Sequence, residues 1–408
     1  MHVVLVEPRF PTNQRFFVRT LKEVGATVTA IGEGSKSSLD DDLRRSLTHY
    51  EEVRNVCDEG ELLRAIRFIQ RHAHVDRMEA TVEAHILATA KVREVAGIPG
   101  TSYRATFLCR DKPAMKEALR QAGIPCAQSR AVSSSAEARA FAEEVGYPII
   151  LKPRDGAGSA GTYKITSDRE LAQAIAESRL DLPGRSLAAE EFMEGHEGFY
   201  DTLTFQGRVV HDFVCHYYPN VLEAMRTRWI SPMFLCTNRI DSAPAYQDLR
   251  RFGQRVITAL GLETTATHME WFYGPKGLKF SEIGCRPPGV RTWDLYNVAN
   301  DMDLYREWAQ LLCWGHPRQR PSRRLATGLL ALRPDRDGRI VGYEGWDEVL
   351  RRAGHNVIDA HLPPPGTPTQ GIEAGYMANA WVRLKHEDYD ALRALMGWVG
   401  ERVQVRAR

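Results

Sequence analysis

A short apolar strand followed by a glycine-rich loop constrains this chain more than any other stretch. Residues 147–161 read YPIILKPRDGAGSAG, so the strand ends at Lys152 and glycines follow at positions 156, 158 and 161. Glycines let successive backbone N–H groups turn toward one point, and the resulting concavity holds an anion, most often phosphate. Because the lysine precedes the glycines, the stretch is not a P-loop, and a flexible hairpin connection is the alternative interpretation.

Composition and charge argue against several functional classes. The 408 residues are 43% hydrophobic and 26% charged, with a formal net charge of +2 at pH 7, which is ordinary for a soluble globular protein. The balanced charge argues against nucleic acid or a membrane surface as the main partner. No run in the sequence approaches the roughly 20 apolar residues that a membrane span requires.

The cysteines and the N-terminus predict a cytoplasmic protein. Seven cysteines are scattered along the chain without a C-x-x-C pair, a pattern typical of reduced thiols and not of a disulfide framework or a zinc site. The sequence begins MHVVLVEP, which reads as a strand and lacks the basic start and long apolar region of a signal peptide.

The N-terminal part of the chain, residues 1–110, predicts a small doubly wound α/β domain. Apolar strands alternate there with segments of helical periodicity, in the order 2–7, 14–24, 27–31, 61–72 and 81–96. Residues 111–187 then read as helix, strand, loop, strand and helix, a compact α+β lobe that contains the glycine-rich loop.

Asp111 and Lys112 open this second lobe. Asp111 is the expected N-cap of a helix that runs to Gln121. Lys112 lies where the helix dipole disfavours a cation, so its side chain either is solvated or faces a bound anion.

Carboxylates recur in the third part, residues 188–322. Residues 188–197, AAEEFMEGHE, join a half-apolar strand to a dense group of carboxylates, which by itself is typical of a charged surface edge. Farther on, two adjacent strands place Glu270 and Glu282 among apolar neighbours, where a carboxylate is costly unless it is paired or binds a metal such as Mg²⁺. A plain four-residue loop at 274–277 would turn Glu282 to the other face, so a shared metal site requires an odd loop or a β-bulge.

The last part of the chain, residues 323–408, predicts a small α+β lobe that covers one side of the site. Its strands and helices surround a proline-rich turn, and it contains no recognisable catalytic constellation.

Taken together, these features resemble the ATP-grasp superfamily of carboxylate–amine ligases. The resemblance covers residues 93–289 well and the terminal lobes in general architecture. It implies a multidomain α/β and α+β fold with four parts: a Rossmann-like domain (1–110), a small lobe with the glycine-rich loop (111–187), a large lobe with the metal site (188–322) and a C-terminal α+β lobe (323–408).

The resemblance also implies ATP and Mg²⁺ as cofactors, with Mn²⁺ as a substitute for Mg²⁺. The residues that match the family's nucleotide-binding positions are Lys112, Lys152, Gly158, Ser159, Ala160, Gly161, Glu190, Glu191, Phe192, Met193 and Glu197. In this pattern Glu190 accepts a hydrogen bond from the adenine amine, the backbone near Met193 reads the ring, and Glu197 binds the ribose.

Glu270 and Glu282 match the family's metal carboxylates, and Arg286 and Lys152 match its catalytic cations. Arg286 corresponds to the arginine that stabilises the transferring phosphoryl group and the tetrahedral intermediate. One departure concerns Gly284, because the family's usual ending, Glu-x-Asn-x-Arg, has an asparagine there that completes metal coordination. Either the second metal is bound with more water, or another side chain substitutes.

The implied reaction is the ATP-dependent joining of a carboxylate to an amine. ATP phosphorylates the carboxylate to an acyl phosphate, an amine displaces phosphate, and ADP is the co-product. The pair His268-x-Glu270 looks most like the branch that joins amino acids into dipeptides, including the L-amino-acid ligases and carnosine synthase. Candidate substrate residues are His268, Arg226, Arg228 and Arg291. The alternatives are that the arginines at 226 and 228 lie in an exposed loop and that His268 only packs.

Two other functions stay open at this point. One is a carboxylase-type or purine-pathway-type ATP-grasp enzyme that activates bicarbonate or formate, and the other is a nucleotide-binding module without ligase activity, which Gly284 would suit. The expected partners are small carboxylate and amine substrates, without nucleic acid or membrane, and a homodimer is left open.

Overall fold

The computed structural model describes residues 1–154 and 161–408, in which helices alternate with parallel and antiparallel sheets. None of the helices in these residues combines the length and the apolar character needed to cross a membrane.

A parallel sheet forms the N-terminal part. Its elements are β1 (His2–Val6), α1 (Gln14–Glu23), β2 (Thr27–Glu33), α2 (Asp41–Ser46), β3 (His49–Val53), α3 (Glu59–His72), β4 (Arg77–Glu79), α4 (Ile86–Val95) and α5 (Tyr103–Leu108). The strands lie parallel in the order β3-β2-β1-β4, which confirms the predicted α/β class. The helix predicted over residues 81–96 begins only at Ile86, because residues 81–85 form a turn in which Thr81 donates a hydrogen bond to Gln14.

An antiparallel sheet follows, with helices packed against it. Its elements are α6 (Lys112–Gln121), β5 (Ser129–Val132), α7 (Ser135–Val145), β6 (Ile149–Pro153), β7 (Tyr163–Ile165), α8 (Asp168–Ser178) and β8 (Leu187–Glu191). In the described residues the strand order is β5-β8-β6-β7. The Asp111 side chain accepts a hydrogen bond from the backbone N–H of Ala114, which confirms the predicted N-cap of α6.

The third part contributes most of a large antiparallel sheet. Its elements are β9 (His196–Phe205), β10 (Arg208–Tyr218), α9 (Val221–Ala224), β11 (Met233–Cys236), α10 (Ala245–Leu260), β12 (Thr265–Gly274), β13 (Gly277–Gly284), α11 (Thr292–Asn300) and α12 (Leu304–Trp314). Positive φ angles at Gln206 (49°) and Gly207 (75°) form the tight turn between β9 and β10.

The C-terminal part continues this large sheet. Its elements are β14 (Ala326–Leu332), β15 (Ile340–Glu344), α13 (Trp346–Ala353), β16 (Val357–His361), β17 (Ala380–His386), α14 (Tyr389–Arg402) and β18 (Gln404–Ala407). The strand order through the described residues is β13-β12-β9-β10-β11-β14-β17-β16. The division into four parts expected from the sequence stays a prediction, since β14, β16 and β17 belong to the same sheet as β9 to β13.

Aromatic side chains join the N-terminal sheet to the large sheet. The ring of Phe17, on α1, lies 5.0–5.3 Å from the rings of Trp293, Tyr305 and Trp308 on α11 and α12. Each of these side chains is buried. Aromatic pairs at such distances contribute about 0.5–1.5 kcal/mol beyond the area that they bury, so this contact fixes the parallel sheet beside the large one.

A buried histidine on β10 predicts how stability depends on pH. His216 shares hydrogen bonds with His196 (2.9 Å) and Tyr246 (2.8 Å), and burial, with nearby His196 and Arg393, lowers its pKa to about 3. Between pH 6.5 and 3 the unfolded chain therefore binds a proton that the folded chain does not. We expect the free energy of unfolding to fall with decreasing pH in this window, by up to about 1.4 kcal/mol per pH unit from this group.

Denaturant unfolding of the wild type and of His216→Phe, measured at several pH values, checks this expectation. The variant should show the shallower dependence on pH, whereas replacing the exposed His355 by glutamine should leave the slope unchanged. Equal slopes for the wild type and His216→Phe would contradict the assignment.

Candidate active site

A cavity of about 390 Å³ lies between the antiparallel sheet and the large sheet. Side chains of Ile150, Phe192, Val221, Leu222 and Phe272 give it an apolar part. Its polar part has cations, Lys112, Lys152, Lys164 and Arg226, and carboxylates that include Glu190, Glu197, Glu270 and Glu282. A cavity of this size with an apolar end and convergent charges suits a small charged ligand that also carries an apolar ring.

A β-bulge brings the two predicted metal carboxylates to one face of the large sheet. The turn after β12 is tight, with Gly274 paired to Gly277, and this register alone would place Glu270 opposite Ser281. The pairing shifts by one residue beyond Trp271, so Glu270 lies directly opposite Glu282. Directly opposite residues on an antiparallel pair point to the same side. The bulge required by the sequence is therefore present, and both carboxylates line the cavity.

Negative charge accumulates around Glu270. Burial, followed by the carboxylates of Glu282 and Glu197, raises the pKa of Glu270 to about 8. Burial also raises the pKa of Glu197 to about 7, although its carboxylate accepts a hydrogen bond from the Val221 N–H at 2.7 Å. Carboxylates crowded in this way favour a cation.

The residues present fit a metal that is shared with a nucleotide. Within residues 1–154 and 161–408, no group of three or more histidine, cysteine or acidic side chains is arranged to hold a metal by itself. Magnesium on a nucleotide is typically bound by one or two carboxylates together with phosphate oxygens and water. Glu270 and Glu282 supply such a pair.

Lysines surround a further carboxylate of the cavity, that of Glu190 on β8. The Nζ atoms of Lys116 and Lys152 lie 2.6 Å and 2.8 Å from its Oε2, and Ser129 donates a hydrogen bond to its Oε1 at 3.3 Å. Burial alone would raise the pKa of Glu190, but the two lysines outweigh it and lower this pKa to about 2. Glu190 is therefore ionised and its oxygens are already engaged.

The predicted phosphate-binding lysines converge on Glu282. The Nζ atoms of Lys112 and Lys152 lie 3.6 Å and 3.8 Å from Oε2 of Glu282. Burial would raise the pKa of Glu282, but these lysines lower it. Lys112 is buried at the start of α6 and not solvated, with the Glu282 carboxylate beside it, and a bound anion at this position stays a prediction.

Sequence reasoning missed Lys116, although a signal was available. Lys116 follows Lys112 by four residues on α6, and residues at this spacing share one helix face. Its side chain is 0% exposed, and burial lowers its pKa to about 8 against the opposing effect of Glu190. A lysine this buried is explained by the carboxylate beside it.

Replacing Lys116 by methionine should destabilise the fold moderately. The change removes one of the two cations on Glu190 and leaves Lys152 to neutralise it, so we expect a loss of about 1.5–3 kcal/mol of unfolding free energy. Denaturant unfolding measures the loss, with exposed Lys22→Met as the matched control. A variant as stable as the wild type would show that Lys116 is not needed to neutralise Glu190.

The segment that joins the antiparallel sheet to the large sheet forms the apolar end of the cavity. Glu191 is fixed by Lys276 and Lys279, whose Nζ atoms donate to its Oε1 at 3.0 Å and 3.1 Å. Phe192 and Met193 follow and line the cavity. The segment closes at Gly195, where φ is 130° and a Cβ would lie 2.4 Å from the Tyr273 carbonyl oxygen, so only glycine fits there.

His268 is held by buried partners that sequence reasoning also missed. It lies opposite Asp201 on β9, and its Nδ1 is 2.7 Å from the Asp201 carboxylate. Tyr296 donates to the other Asp201 oxygen at 2.5 Å. Burial would lower the pKa of His268, but Asp201 raises it. The ring orientation is thereby fixed, with Nε2 directed toward Glu270 at 3.9 Å. A carboxylate at the centre of the apolar strand β9 was the available signal.

The other predicted substrate residues lie around the cavity and do not all line it. Arg226 lines it and donates a hydrogen bond to the Thr162 carbonyl oxygen at 2.8 Å. Arg228 pairs with Asp337 at 2.7 Å, and Arg291 pairs with Asp294 at 2.5 Å. Two further predicted site residues, Arg286 and His268, are not among the residues that line the cavity. Arg286 follows the end of β13 by two residues, and His268 lies within β12.

Part of the predicted glycine-rich loop falls outside the described residues. Gly158, Ser159 and Ala160 belong to this part. Gly161 is described, with φ of 65°, and it lies against Pro153. Among the described residues on either side, Pro153 and Thr162 line the cavity.

The sequence matches a family of ATP-binding domains across the antiparallel sheet. The model described as "Carbamoyl-phosphate synthase L chain, ATP binding domain" matches residues 111–196. The L-arginine-specific L-amino acid ligase of Bacillus subtilis is 27% identical over 219 residues, 52% of this chain and 52% of that protein. The aligned residues span less than two thirds of the length of this and other curated relatives.

Solved structures share the fold over the whole chain. An L-amino acid ligase from Bacillus licheniformis superposes with a TM-score of 0.76 at 16% identity, covering 100% of this chain and 98% of that one. The N5-carboxyaminoimidazole ribonucleotide synthetase of Thermotoga maritima gives a TM-score of 0.68 at 14% identity, covering 100% and 99%.

Proposed function

We propose that this chain, which has the ATP-grasp fold, is an ATP-dependent ligase that joins a small carboxylate to an amine and releases ADP and phosphate. The observation that carries the proposal is the bulge at Ser281, which aligns Glu282 with Glu270 beside Lys112 and Lys152. Carboxylates for a metal and lysines for phosphates thus meet at one point of the cavity.

In this proposal, residues that line the cavity bind both the base and the phosphates of the nucleotide. Phe192, Met193 and Glu197 all line the cavity, and we assign the first two to apolar contact with the adenine ring and Glu197 to the ribose. Lys112 and Lys152, which now lie near Glu282, would turn to the β- and γ-phosphates of ATP. Glu270 and Glu282 would hold Mg²⁺, which would supply positive charge to neutralise the phosphates.

The reaction needs positioning and charge neutralisation more than a protein nucleophile. A carboxylate oxygen of the substrate attacks the γ-phosphorus, the bond to the bridging oxygen of ADP breaks, and an acyl phosphate results. The amine then attacks the acyl carbon, phosphate leaves, and the amine gives up a proton. We assign to Arg286, two residues after the end of β13, the stabilisation of both steps, and His268 would act beside it with its ring fixed by Asp201.

The substrates that we propose are amino acids, joined into a dipeptide or a related amide. His268 and Glu270 on one strand support this choice, as does the similarity to the L-amino acid ligases. Arg226, at the cavity wall, is a candidate for a substrate carboxylate. We also propose the four-part domain division given above.

Release of phosphate from ATP and Mg²⁺ in the presence of pooled amino acids, other carboxylates and amines tests the proposal. ADP and phosphate that form only with a carboxylate–amine pair, together with the amide found by mass spectrometry, are the expected result. Parallel reactions with bicarbonate or formate and an amine test the carboxylase-type alternative. The structural similarity to an N5-carboxyaminoimidazole ribonucleotide synthetase is the reason to include them. AMP and pyrophosphate would contradict the acyl phosphate, and ATP binding without turnover in any pool would favour a binding module.

A further inference from the structure

Glu83, which no motif marks, lies between two arginines at the edge of the proposed site. It is in the turn between β4 and α4. Its Oε1 accepts a hydrogen bond from Nη1 of Arg110 at 2.5 Å, and its Oε2 accepts one from Nε of Arg286 at 2.5 Å. All three side chains are at most 22% exposed. The carboxylate therefore links the N-terminal parallel sheet to the arginine that follows β13.

The same carboxylate occupies the space beside Gly284. Gly284 follows Glu282 by two residues on β13, so a side chain there would point to the same face as Glu282. A Cβ at position 284 would lie 3.3 Å from Oε2 of Glu83 and 3.6 Å from Nε of Arg286. The φ angle of Gly284 lies outside the left-handed region, so the backbone does not require glycine. A side chain at position 284 would therefore crowd the Glu83 carboxylate, which would have to move by a few tenths of an ångström.

Charge and hydrogen bonding fix the orientation of Arg286. Burial would raise the pKa of Glu83, but Arg286 and Arg110 lower it, so the carboxylate is ionised. Burial would lower the pKa of Arg286, but Glu83 raises it. Besides Nε, the Nη1 atom of Arg286 donates to the Pro287 carbonyl oxygen at 2.8 Å. Two donors bound to fixed acceptors determine the plane of a guanidinium group.

We propose that Glu83, from the N-terminal part of the chain, occupies the space that a side chain at position 284 would fill, and that it is a positioning residue for Arg286. The role in catalysis rests on the proposed ligase function. The exchange of space, by which Glu83 fills the room that a side chain at position 284 would need, does not. Glu83 acts on the reaction only through Arg286, because it holds the guanidinium where the phosphoryl group is transferred.

Alanine at position 83 tests the positioning role. With Glu83→Ala we expect kcat to fall on the order of 100-fold, because a misplacement of about 1 Å costs this much, while KM for ATP stays within about twofold. Glu83→Gln, which preserves the shape and loses the charge, should act in the same direction. The control is Glu61→Ala, another buried carboxylate of the N-terminal part that pairs with an arginine, Arg54. It should lower stability and leave kcat unchanged.

A double-mutant cycle with Gly284→Asn tests the exchange of space. In the wild-type background the asparagine competes with Glu83 and should lower both kcat and the thermal midpoint. In the Glu83→Ala background it has room, and its amide oxygen can accept from Arg286, so it should raise both. A change of sign between the two backgrounds is the expected result, and additive effects would overturn the proposal.

The readouts separate this proposal from the proposed function. If the wild type shows no turnover with any carboxylate–amine pair, the ligase function fails, and the cycle is still measured by thermal midpoints and by the affinity for MgADP. Non-additive midpoints would then uphold the exchange of space at position 284. If turnover is present and Glu83→Ala raises KM for ATP as strongly as it lowers kcat, the positioning role is wrong.

Discussion

Replacing Arg286 by alanine should reduce ADP-forming turnover by about a thousand-fold or more, which is the scale of an arginine that stabilises a transferring phosphoryl group. The affinity for ADP should change little, because Arg286 is not among the residues that line the cavity. Arg286→Lys should retain part of the rate, since it preserves the charge beside Glu83 and loses the planar donor fork. Steady-state phosphate release and calorimetric titration with ADP measure the two effects.

The matched control for this prediction is Arg324→Ala. Arg324 is 54% exposed and pairs with Asp301 on the surface, so the same chemical change there should leave turnover intact. A loss of ADP affinity as large as the loss of rate would show that Arg286 acts in nucleotide binding. Full activity of Arg286→Ala would remove it from the mechanism.

Replacing Glu270 by glutamine should separate stability from function. Glu270 has the carboxylates of Glu282 and Glu197 as neighbours, and the ion pair found for it in the described residues is a distant one, 3.9 Å to His268. With its pKa raised to about 8, Glu270 is largely protonated near pH 7 and glutamine reproduces this neutral form, so we expect the unfolding free energy to stay within about 0.5 kcal/mol of the wild type or to rise. Affinity for Mn²⁺ in the presence of ADP should fall about 100-fold or more, because loss of an outer-shell partner alone costs up to that much.

Electron paramagnetic resonance of Mn²⁺ and denaturant unfolding measure the two outcomes. Glu307→Gln is the contrasting control, because Glu307 is a buried carboxylate 3.0 Å from His211 and is not among the residues that line the cavity. It should lose stability and retain metal affinity. If Glu270→Gln also loses stability and binds Mn²⁺ normally, Glu270 is a structural residue and not a metal ligand.

The sequence predicted the chemistry of the cavity better than the details of its construction. Alternating apolar runs and caps predicted the parallel sheet and the helix after Asp111, because these signals are local. The alignment of Glu270 with Glu282 could be stated only as a requirement. Whether a strand pair contains a bulge depends on the packing of both faces of the sheet. Only the folded chain shows that Ser281 is the extra residue of a bulge.

Residues that act through long-range contacts were beyond local patterns. Glu83 reaches Arg286 across 203 positions of the chain, and Asp201 reaches His268 across 67. Neither pair has a spacing that a motif would encode. The role of Glu190 in adenine recognition stays a prediction, because in the described residues its oxygens are held by Lys116, Lys152 and Ser129.

The continuation of the large sheet into β14, β17 and β16 limits how the chain can be divided. A chain cut before Ala326 would leave β11 as an unpaired edge strand of the large sheet. Phe234 and Leu235, which are buried in the full chain, would then lie on that edge strand. Open edges of this kind recruit strands from other molecules. The C-terminal residues therefore cannot be deleted as an accessory module, and they should unfold together with the strands that carry Glu270 and Glu282, as one cooperative unit.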